Sequence, residues 1–514
     1  MISLGITSFT FLIFILVAAI VYYLTPGTFQ WISLLSLSVI FYCLAAAPYT
    51  VIYILISTIT AYFSTLYAEK HQGGRVTAVI ISAVIINILI WFLFKGNAYW
   101  IQLSSFLHAR IPSFPALEAV PLAASLGMGF YTCQIISYIT DCCWQNAVPQ
   151  RNFFKLLLFL MFFPLLTSGP ICRYNELTVL YERHTFDIDS FERGTQRILW
   201  GFFKKLVLAE RLAAVVNTVD KDPLKCTGLW LWIAFLSYPL ELYSDFSGSI
   251  DIALGTAELF GIILPENFNN PFFSETSQEL WQRWHMTLGN WARDYIMYPV
   301  LKSEKTIALS SAVKKRFGKR AGKLASLGVG MFMTWLVMGI WHGNYKYILG
   351  CVVFYFTLMF LYEAFSPALK KLNQRLGIRE QSFSWKLFRR IRTYLLFCVF
   401  LVFFRADGVS PALKMLEGLA AALTPGNFNP WILVDGSLSM TGLSFTDLSV
   451  ILLSLLLLLL AALMREKKVH ARYWIAEQGI VFRWGAWLFL LFLVVIYGKY
   501  GPGYRAADFI YQGF

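Results

Sequence analysis

The stretch LASLGVGMFMTWLVMGIWHG, residues 324–343, is long and apolar enough to cross a bilayer, and it decides the class of fold. A transmembrane helix needs about 20 predominantly apolar residues. Between Lys323 and Tyr345 the only titratable side chain is His342. An ionisable group at membrane depth costs about 2.5–3.5 kcal/mol on insertion scales, so a retained one usually faces the protein interior and marks function. The stretch therefore predicts both a membrane span and a candidate site residue.

The composition of the whole chain predicts an all-α polytopic membrane protein. Of its 514 residues, 58% are hydrophobic and only 14% are charged, against roughly 25% charged in soluble domains. Shorter, interrupted stretches at 119–140 and 249–264 raise the expected total to roughly 10 to 13 membrane-inserted segments. The first span lacks a basic n-region and an Ala-x-Ala-like site, so it is predicted to be retained. The uninterrupted spans are predicted at 3–24, 31–46, 47–67, 76–95, 153–172, 228–246, 324–342, 346–364, 391–405, 447–464 and 484–498.

The net charge of +14 comes largely from Lys and Arg in short loops between the predicted spans. Such clusters are typical of cytoplasmic loops that face anionic lipid, and they predict that the loop 302–323 lies inside the cell. Membrane lipid is therefore the expected neighbour, and no nucleic-acid partner is expected. The run KKRFGKR, residues 314–320, could bind an acidic partner, although a solvated loop is the favoured interpretation. The basic clusters are 70–75, 302–323, 370–392 and 465–472.

The eight cysteines show no C-x-x-C spacing. Neither a disulfide framework nor a metal site is expected.

Polar residues inside apolar stretches divide the chain into regions, although no internal repeat or soluble domain is visible. Residues 1–98 are predicted to form N-terminal scaffold helices, 119–364 a catalytic core, and 365–514 C-terminal helices, all within one membrane domain. In the core, three stretches combine Gly or Pro with polar side chains. Interrupted backbone at membrane depth persists only where protein or a water-filled cavity surrounds it, so an internal polar chamber is predicted. The three stretches are 125–141, 161–174 and 241–255.

The segment LWQRWHMTLGNWARDYIMYPV, residues 280–300, has a different pattern. Its aromatic and apolar residues recur at i, i+3 and i+4, which predicts one helical face. The segment carries too many charges to cross lipid, so a helix at the interface or re-entering a chamber is predicted. The predicted face contains Trp281, Trp284, His285, Leu288, Trp291 and Tyr295.

The imidazoles of His342 and His285 are the two candidates for proton transfer, because the unperturbed pKa of about 6.5 suits exchange near neutral pH. His342 could instead be a helix-terminal residue that snorkels or caps, and His285 an aromatic-face anchor. Gly339, on the same predicted face as His342, is expected to leave room for a substrate chain.

Asp245 is a third candidate, whereas Asp245 and Asp251 are six residues apart and therefore do not share one helical face. Helix capping at a turn over Asp245-Phe-Ser-Gly is the alternative for these carboxylates.

Together, WQRWHMTLGNWARDYIMYPV and MGIWHG resemble the membrane-bound O-acyltransferases. Further pieces resemble the bacterial branch that O-acetylates alginate and related polysaccharides, and the D-alanyl transfer protein of teichoic acid is similar in pattern. These pieces are YSDFSGSIDIALG (243–255), FFPLLTSGPICRY (162–174), LVFFRADGVSPALKML (401–416) and FIYQGF (509–514). The resemblance implies a ring of helices around a central tunnel, with His342 as the active-site residue and His285 as the second.

The resemblance also implies an acyl transfer reaction and roles in it. His342 would take the proton of an acceptor hydroxyl, while His285, Asn344 or a backbone N–H orients the thioester carbonyl. Arg283 and Asp245 would hold the re-entrant elements. The remaining predicted substrate-binding residues are Trp281, Trp284 and Trp341.

The implied co-substrate is an acyl thioester, acetyl-CoA or an acyl carrier protein, and no cofactor is expected to be bound. The implied partner is an extracytoplasmic esterase-like acyltransferase, and the implied location is the bacterial plasma membrane. D-Alanyl transfer to teichoic acid, or a lipid or peptide acceptor, remains an alternative. A transporter or flippase is the competing class, because broken helices and buried polar groups also describe carriers.

Overall fold

The computed structural model describes residues 4–115, 125–221, 228–406, 408–424 and 437–500. Within these ranges the chain is helical, and the one β-type pairing is an isolated antiparallel bridge between Phe268 and Trp284. The predicted all-α polytopic class is confirmed. The motif FIYQGF lies outside the described residues.

The described residues form 23 α-helices. The first eleven are α1 (Phe9–Leu24), α2 (Gln30–Ala45), α3 (Val51–Lys70), α4 (Gly74–Phe94), α5 (Asn97–Arg110), α6 (Met128–Cys143), α7 (Phe153–Met161), α8 (Phe163–Ser168), α9 (Ile188–Phe202), α10 (Glu210–Lys221) and α11 (Leu229–Leu259). The others are α12 (Ser277–Arg283), α13 (Met286–Ala292), α14 (Tyr298–Lys302), α15 (Glu304–Phe317), α16 (Lys319–Trp341), α17 (Tyr345–Ile348), α18 (Thr357–Arg375), α19 (Phe383–Arg405), α20 (Val409–Ala421), α21 (Phe445–Glu466), α22 (Ala471–Ala476) and α23 (Ile480–Tyr497).

In the described part of the chain, three π-helical turns connect consecutive helices without a loop. The first, Phe203–Ala209, joins α9 to α10; the second, Arg293–Met297, joins α13 to α14; and the third, Leu349–Phe356, joins α17 to α18. Turns of this kind widen the helix locally and occur often at functional positions.

Two compact units make up the fold. Of the described residues, the first unit contains those up to 210, those in 242–266 and 450–500, and the second contains those in 211–241 and 267–449. In the first unit, Phe163 packs against both Phe41 and Phe260, with ring centroids 5.6 and 5.7 Å away. The pair with Phe260 is edge-to-face, a geometry that adds to the stabilisation from burial.

Seven described segments are long and apolar enough to cross a membrane, and each coincides with one of the predicted spans. The four remaining predicted spans are a shorter helix, parts of longer helices or a divided helix. Span 3–24 is the shorter helix α1, 228–246 is the first part of α11, and 391–405 is the end of the basic helix α19. Span 153–172 is divided at Phe162 into α7 and α8. The seven spans are Gly27–Ala45, Pro48–Lys70, Gly74–Phe94, Lys319–Trp341, Tyr345–Arg375, Phe445–Glu466 and Ile480–Tyr497.

Helix α11 corrects the prediction of an interrupted backbone over 241–255. The helix runs unbroken from Leu229 to Leu259, with Pro239 inside it, so Asp245-Phe-Ser-Gly is not a turn. The glycines that suggested a break instead let α11 approach α9 closely. An added methyl group at Gly201 would lie 2.6 Å from the carbonyl oxygen of Gly248, and one at Gly255 would lie 2.6 Å from that of Gly194.

The two aspartates of α11 do not cap a helix either, because both are ion-paired inside the first unit. Asp251 lies 3.0 Å from Nε of Arg197 and 2.6 Å from Nζ of Lys204. Asp245 is paired with Lys205. Both lysines are 3% exposed and belong to the π-helical turn after α9. Buried charges require such partners. The role of Asp245 in holding the re-entrant elements stays a prediction.

The close contact between α9 and α11 predicts a specific sensitivity to a single methyl group. We expect Gly201→Ala to lower the free energy of unfolding by about 1–3 kcal/mol, since the added carbon would overlap the Gly248 backbone. Thermal unfolding of the purified protein in detergent measures the effect.

The matched control is Gly485→Ala in α23, where nothing lies within 4 Å of the added carbon. Because alanine favours a helix over glycine, this variant should be at least as stable as the parent. Equal destabilisation by both substitutions would contradict the packing argument.

Candidate active site

His342 lies at the C-terminal end of α16 and is buried in the second unit. Helix α16 stops here because Gly343 adopts φ +84°, a left-handed conformation that commonly terminates helices. The imidazole is 7% exposed. Its ring centroid lies 5.0 Å from that of Trp341, 5.4 Å from Tyr347 and 5.1 Å from Phe404. The side chain is therefore enclosed by aromatic rings and does not extend to the surface of the protein.

The predicted buried face of α16 is present, but its glycine has another role. Trp335, Met338, Gly339 and His342 are all buried. The space beside Gly339 is filled, because an added methyl group would lie 2.8 Å from Cα of Ile348. The prediction that Gly339 leaves room for a substrate chain is therefore wrong. The glycine instead lets the segment after His342 pack directly against α16.

The prediction of one continuous helix through His285 is also wrong. Helix α12 ends at Arg283, Trp284 is extended, and α13 begins at Met286. Between them, His285 has φ 46° and ψ 52°, the left-handed region that L-residues other than glycine rarely occupy. Holding such a conformation costs about 1–3 kcal/mol and occurs preferentially at functional sites.

A short antiparallel pairing with residues 267–269 explains the break. The bridge between Phe268 and Trp284 is flanked by two backbone hydrogen bonds. The Asn269 N–H donates to the Arg283 carbonyl, and the Met286 N–H donates to the Asn267 carbonyl, both at 2.9 Å. These bonds replace those that a continuous helix would have made.

Asn267, which the sequence analysis missed, holds the side chain of His285. The residue is fully buried, and its Oδ1 lies 3.2 Å from Nδ1 of His285. The same oxygen accepts from the Thr287 backbone N–H at 3.1 Å and from the Thr287 hydroxyl at 2.8 Å. In the sequence, Asn267 belongs to the turn-like run NFNNP and precedes His285 by 18 residues, so no periodicity connects the two.

The indole of Trp341 connects the two histidines. Its ring centroid lies 6.1 Å from that of His285 and 5.0 Å from that of His342. The two imidazole centroids are therefore at most about 11 Å apart, within one compact unit. The structure thus brings together His285, Trp341 and His342.

Burial lowers the pKa of His285 from 6.5 to about 3, because the charged imidazolium would be removed from water. His285 lies outside the seven spans. The ring is therefore neutral at physiological pH. A neutral imidazole has one N–H donor and one nitrogen with a lone pair, and so it can accept a proton.

The other predicted site residues have structural contacts of their own. Trp281 packs against Trp335 and Tyr355, each with ring centroids 5.1 Å away. Trp284 packs against Phe397 at 5.1 Å.

The polar candidates are also engaged. Arg283 forms an ion pair with Glu279 at 2.8 Å, one helical turn away. The side chain of Asn344 caps α17 by accepting from the Lys346 N–H at 3.1 Å. Asp245 belongs to the first unit, whereas both histidines belong to the second. The substrate-binding roles of all these residues remain predictions.

An all-α chain with several spans and two buried imidazoles beside one indole defines a polytopic membrane protein with a candidate acid–base site. The chain belongs to the membrane-bound O-acyltransferase family, whose model matches residues 78–405 and so includes both histidines. The resemblance found in the sequence is confirmed.

Three bacterial relatives show the range of this similarity. A probable alginate O-acetylase of Pseudomonas syringae is 31% identical over 63% of this chain, and the match spans 56% of that protein's length. A peptidoglycan O-acetyltransferase of Helicobacter pylori is 25% identical, over 71% of this chain and 68% of that protein. A teichoic acid D-alanyltransferase of Bacillus subtilis is 29% identical, over 59% of this chain and 72% of that protein.

The buried, neutral state of His285 predicts a dependence of stability on pH. Below pH 6.5 the unfolded chain takes up a proton at this position and the folded chain does not, so acidification toward pH 3 favours unfolding. The free energy of unfolding should fall by at most about 1.4 kcal/mol per pH unit from this group. Unfolding in detergent between pH 7.5 and 5 measures it.

We expect His285→Gln to flatten this pH dependence. The control His71→Gln changes an exposed histidine just after α3 and should retain the parental slope. Equal slopes in the parent and in His285→Gln would show that His285 is not held neutral by burial.

Proposed function

We propose that this protein is a membrane O-acyltransferase that moves an acyl group from a cytoplasmic thioester toward hydroxyl groups of an extracytoplasmic polymer. The observation that carries the proposal is the pair of buried imidazoles beside Trp341 in a chain of this family. Transfer from a thioester to an alcohol requires a base for the hydroxyl proton, and imidazole is the side chain best suited to that exchange near neutral pH.

The proposed reaction uses His342 as the general base. The acceptor hydroxyl gives its proton to the His342 imidazole while its oxygen forms a bond to the thioester carbonyl carbon. The carbon–sulfur bond then breaks, and the leaving thiolate takes the proton back from the imidazolium. A positioned base of this kind typically contributes about 10²- to 10⁴-fold in rate. Backbone N–H groups near the end of α16, or the amide of Asn344, would stabilise the carbonyl oxygen.

The acyl group in this proposal is acetyl and the acceptor is a polysaccharide or cell-wall polymer. The O-acetylases of alginate and peptidoglycan among the relatives support this choice. The relatives named as teichoic acid D-alanyltransferases support D-alanine as the second candidate. Acetyl-CoA or an acyl carrier protein would be the donor, without a bound cofactor. An extracytoplasmic esterase-like enzyme would be the partner that completes delivery.

The proposed location is the bacterial plasma membrane, with the basic hairpin of α15 and α16 on the cytoplasmic side. Residues 302–323, from the end of α14 to the first turn of α16, carry eight Lys or Arg side chains and one Glu. This charge favours the face with anionic lipid, and the same face would meet a thioester donor made in the cytoplasm.

The reaction can be tested in proteoliposomes that hold a labelled acyl thioester on one side and the polymer on the other. We expect label transfer by the parent and a loss of at least about 10²-fold in His342→Ala, since the base for the hydroxyl is removed. Acetyl-CoA and a D-alanyl carrier protein, tested in parallel, distinguish the two acyl groups.

The control His470→Ala removes an exposed histidine before α22 and should transfer at the parental rate. Near-parental turnover in His342→Ala would remove His342 from the proposed chemistry. Flux of the polymer without any acyl donor would instead support the transporter class.

A further inference from the structure

We propose that Asn267 is a positioning residue that fixes His285 as the tautomer with hydrogen on Nδ1, so that Nε2 accepts a hydrogen bond during acyl transfer while His342 remains the base. The proposal deepens the proposed function and rests on it, because His285 is taken to act on the substrates of that reaction. The sequence-based prediction allowed His285 to donate a hydrogen bond to the thioester carbonyl. The proposed tautomer removes that role from Nε2.

The backbone of Thr287 settles which end of the Asn267 amide faces His285. A backbone N–H can only donate, and that of Thr287 lies 3.1 Å from the Asn267 atom in question, which must therefore be the oxygen. The Thr287 hydroxyl, 2.8 Å from the same atom, adds a second donor. The amide nitrogen of Asn267 has no hydrogen-bond partner among the described residues, so the hydrogen bonds found for this side chain all go to residues 285–287.

The tautomer of His285 follows from this orientation. The Nδ1 atom lies 3.2 Å from an oxygen that only accepts, so the shared hydrogen must be on Nδ1. In a neutral ring the other nitrogen, Nε2, then carries the lone pair. Burial holds the pKa of His285 well below neutral, so the ring is not the imidazolium that could donate from both nitrogens. Without a hydrogen on Nε2, His285 is not a donor to the thioester carbonyl from that atom.

The backbone around His285 preserves this arrangement. The left-handed conformation of His285 directs the chain out of α12 and into α13, and hydrogen bonds to both sides of Phe268 hold the two segments together. The contact between Asn267 and His285 therefore spans the same short pairing that breaks the helix. Orientation of an imidazole by a partner on its second nitrogen is a general way to set its basic atom.

Histidine ¹⁵N NMR tests the tautomer directly and needs no substrate. We expect the His285 signals, identified by their loss in His285→Gln, to show a protonated Nδ1 and an unprotonated Nε2 at pH 7. In Asn267→Leu, which removes the acceptor at similar size, this tautomer should lose its dominance. A dominant Nε2–H form in the parent would overturn the proposal even if acyl transfer is observed, whereas a parent without acyl transfer would count against the proposed function alone.

Kinetics of labelled acyl transfer test whether the orientation of His285 by Asn267 affects the rate. Asn267→Leu should lower kcat by about 10²-fold with little change in KM for the acyl donor, because the accepting nitrogen of His285 is misplaced while donor binding is unchanged. Asn267→Asp keeps the accepting oxygen and adds a negative charge, which stabilises the imidazolium. This variant should recover most of the activity and move the acid limb of the pH–rate profile to higher pH.

The matched control is Asn290→Leu, an exposed asparagine in α13, which should keep the parental rate and pH profile. Thermal unfolding of every variant identifies those that fail to fold. If Asn267→Leu fails to fold, the pH–rate profile of Asn267→Asp still tests the proposal. An unshifted pH profile in a folded, active Asn267→Asp would show that Asn267 only stabilises the fold and would overturn the proposal.

Discussion

A helix can be broken at membrane depth only where protein groups or a water-filled cavity take up the hydrogen bonds that its backbone loses. Between α12 and α13 this requirement is met by residues 267–269, whose backbone pairs with the chain on either side of Trp284. The pairing permits the left-handed conformation of His285 and brings Asn267 to its ring. The orientation of this imidazole therefore follows from the hydrogen bonds that replace those lost where the helix is interrupted.

The second unit combines this polar contact with an unusually aromatic environment. Trp341 contacts both imidazoles, and Phe404 and Tyr347 enclose the ring of His342. Aromatic side chains provide a large buried surface with few rotatable bonds, so these contacts hold the imidazole rings in place. A low-dielectric surrounding keeps His285 neutral and strengthens its hydrogen bond to Asn267.

Uninterrupted apolar length was sufficient to predict the seven spans, because that property depends only on local sequence. It was also possible to single out His342 and His285, since an ionisable group in an apolar or aromatic segment is conspicuous. The helix break at His285 could not be predicted, because two short helices satisfy the same aromatic spacing as one long helix. The role of Asn267 depends on a contact across 18 residues, and the close packing at Gly339 depends on a backbone that local pattern does not reveal. The continuity of α11 was missed because its glycines were taken as breaks, whereas they face the backbone of α9.

The facing glycines of α9 and α11 also bear on how this part of the chain can vary in length. Gly194 and Gly201 are separated by seven residues, as are Gly248 and Gly255, and each glycine of one helix opposes one of the other. Inserting or deleting a single residue between either pair would rotate one glycine away by about 100° and bring a larger side chain against the opposing carbonyl. Substitutions on the outer faces of these helices are compatible with the contact, but changes in helix length are not. The number of residues between the two glycines of each helix should therefore vary far less than the identity of those residues.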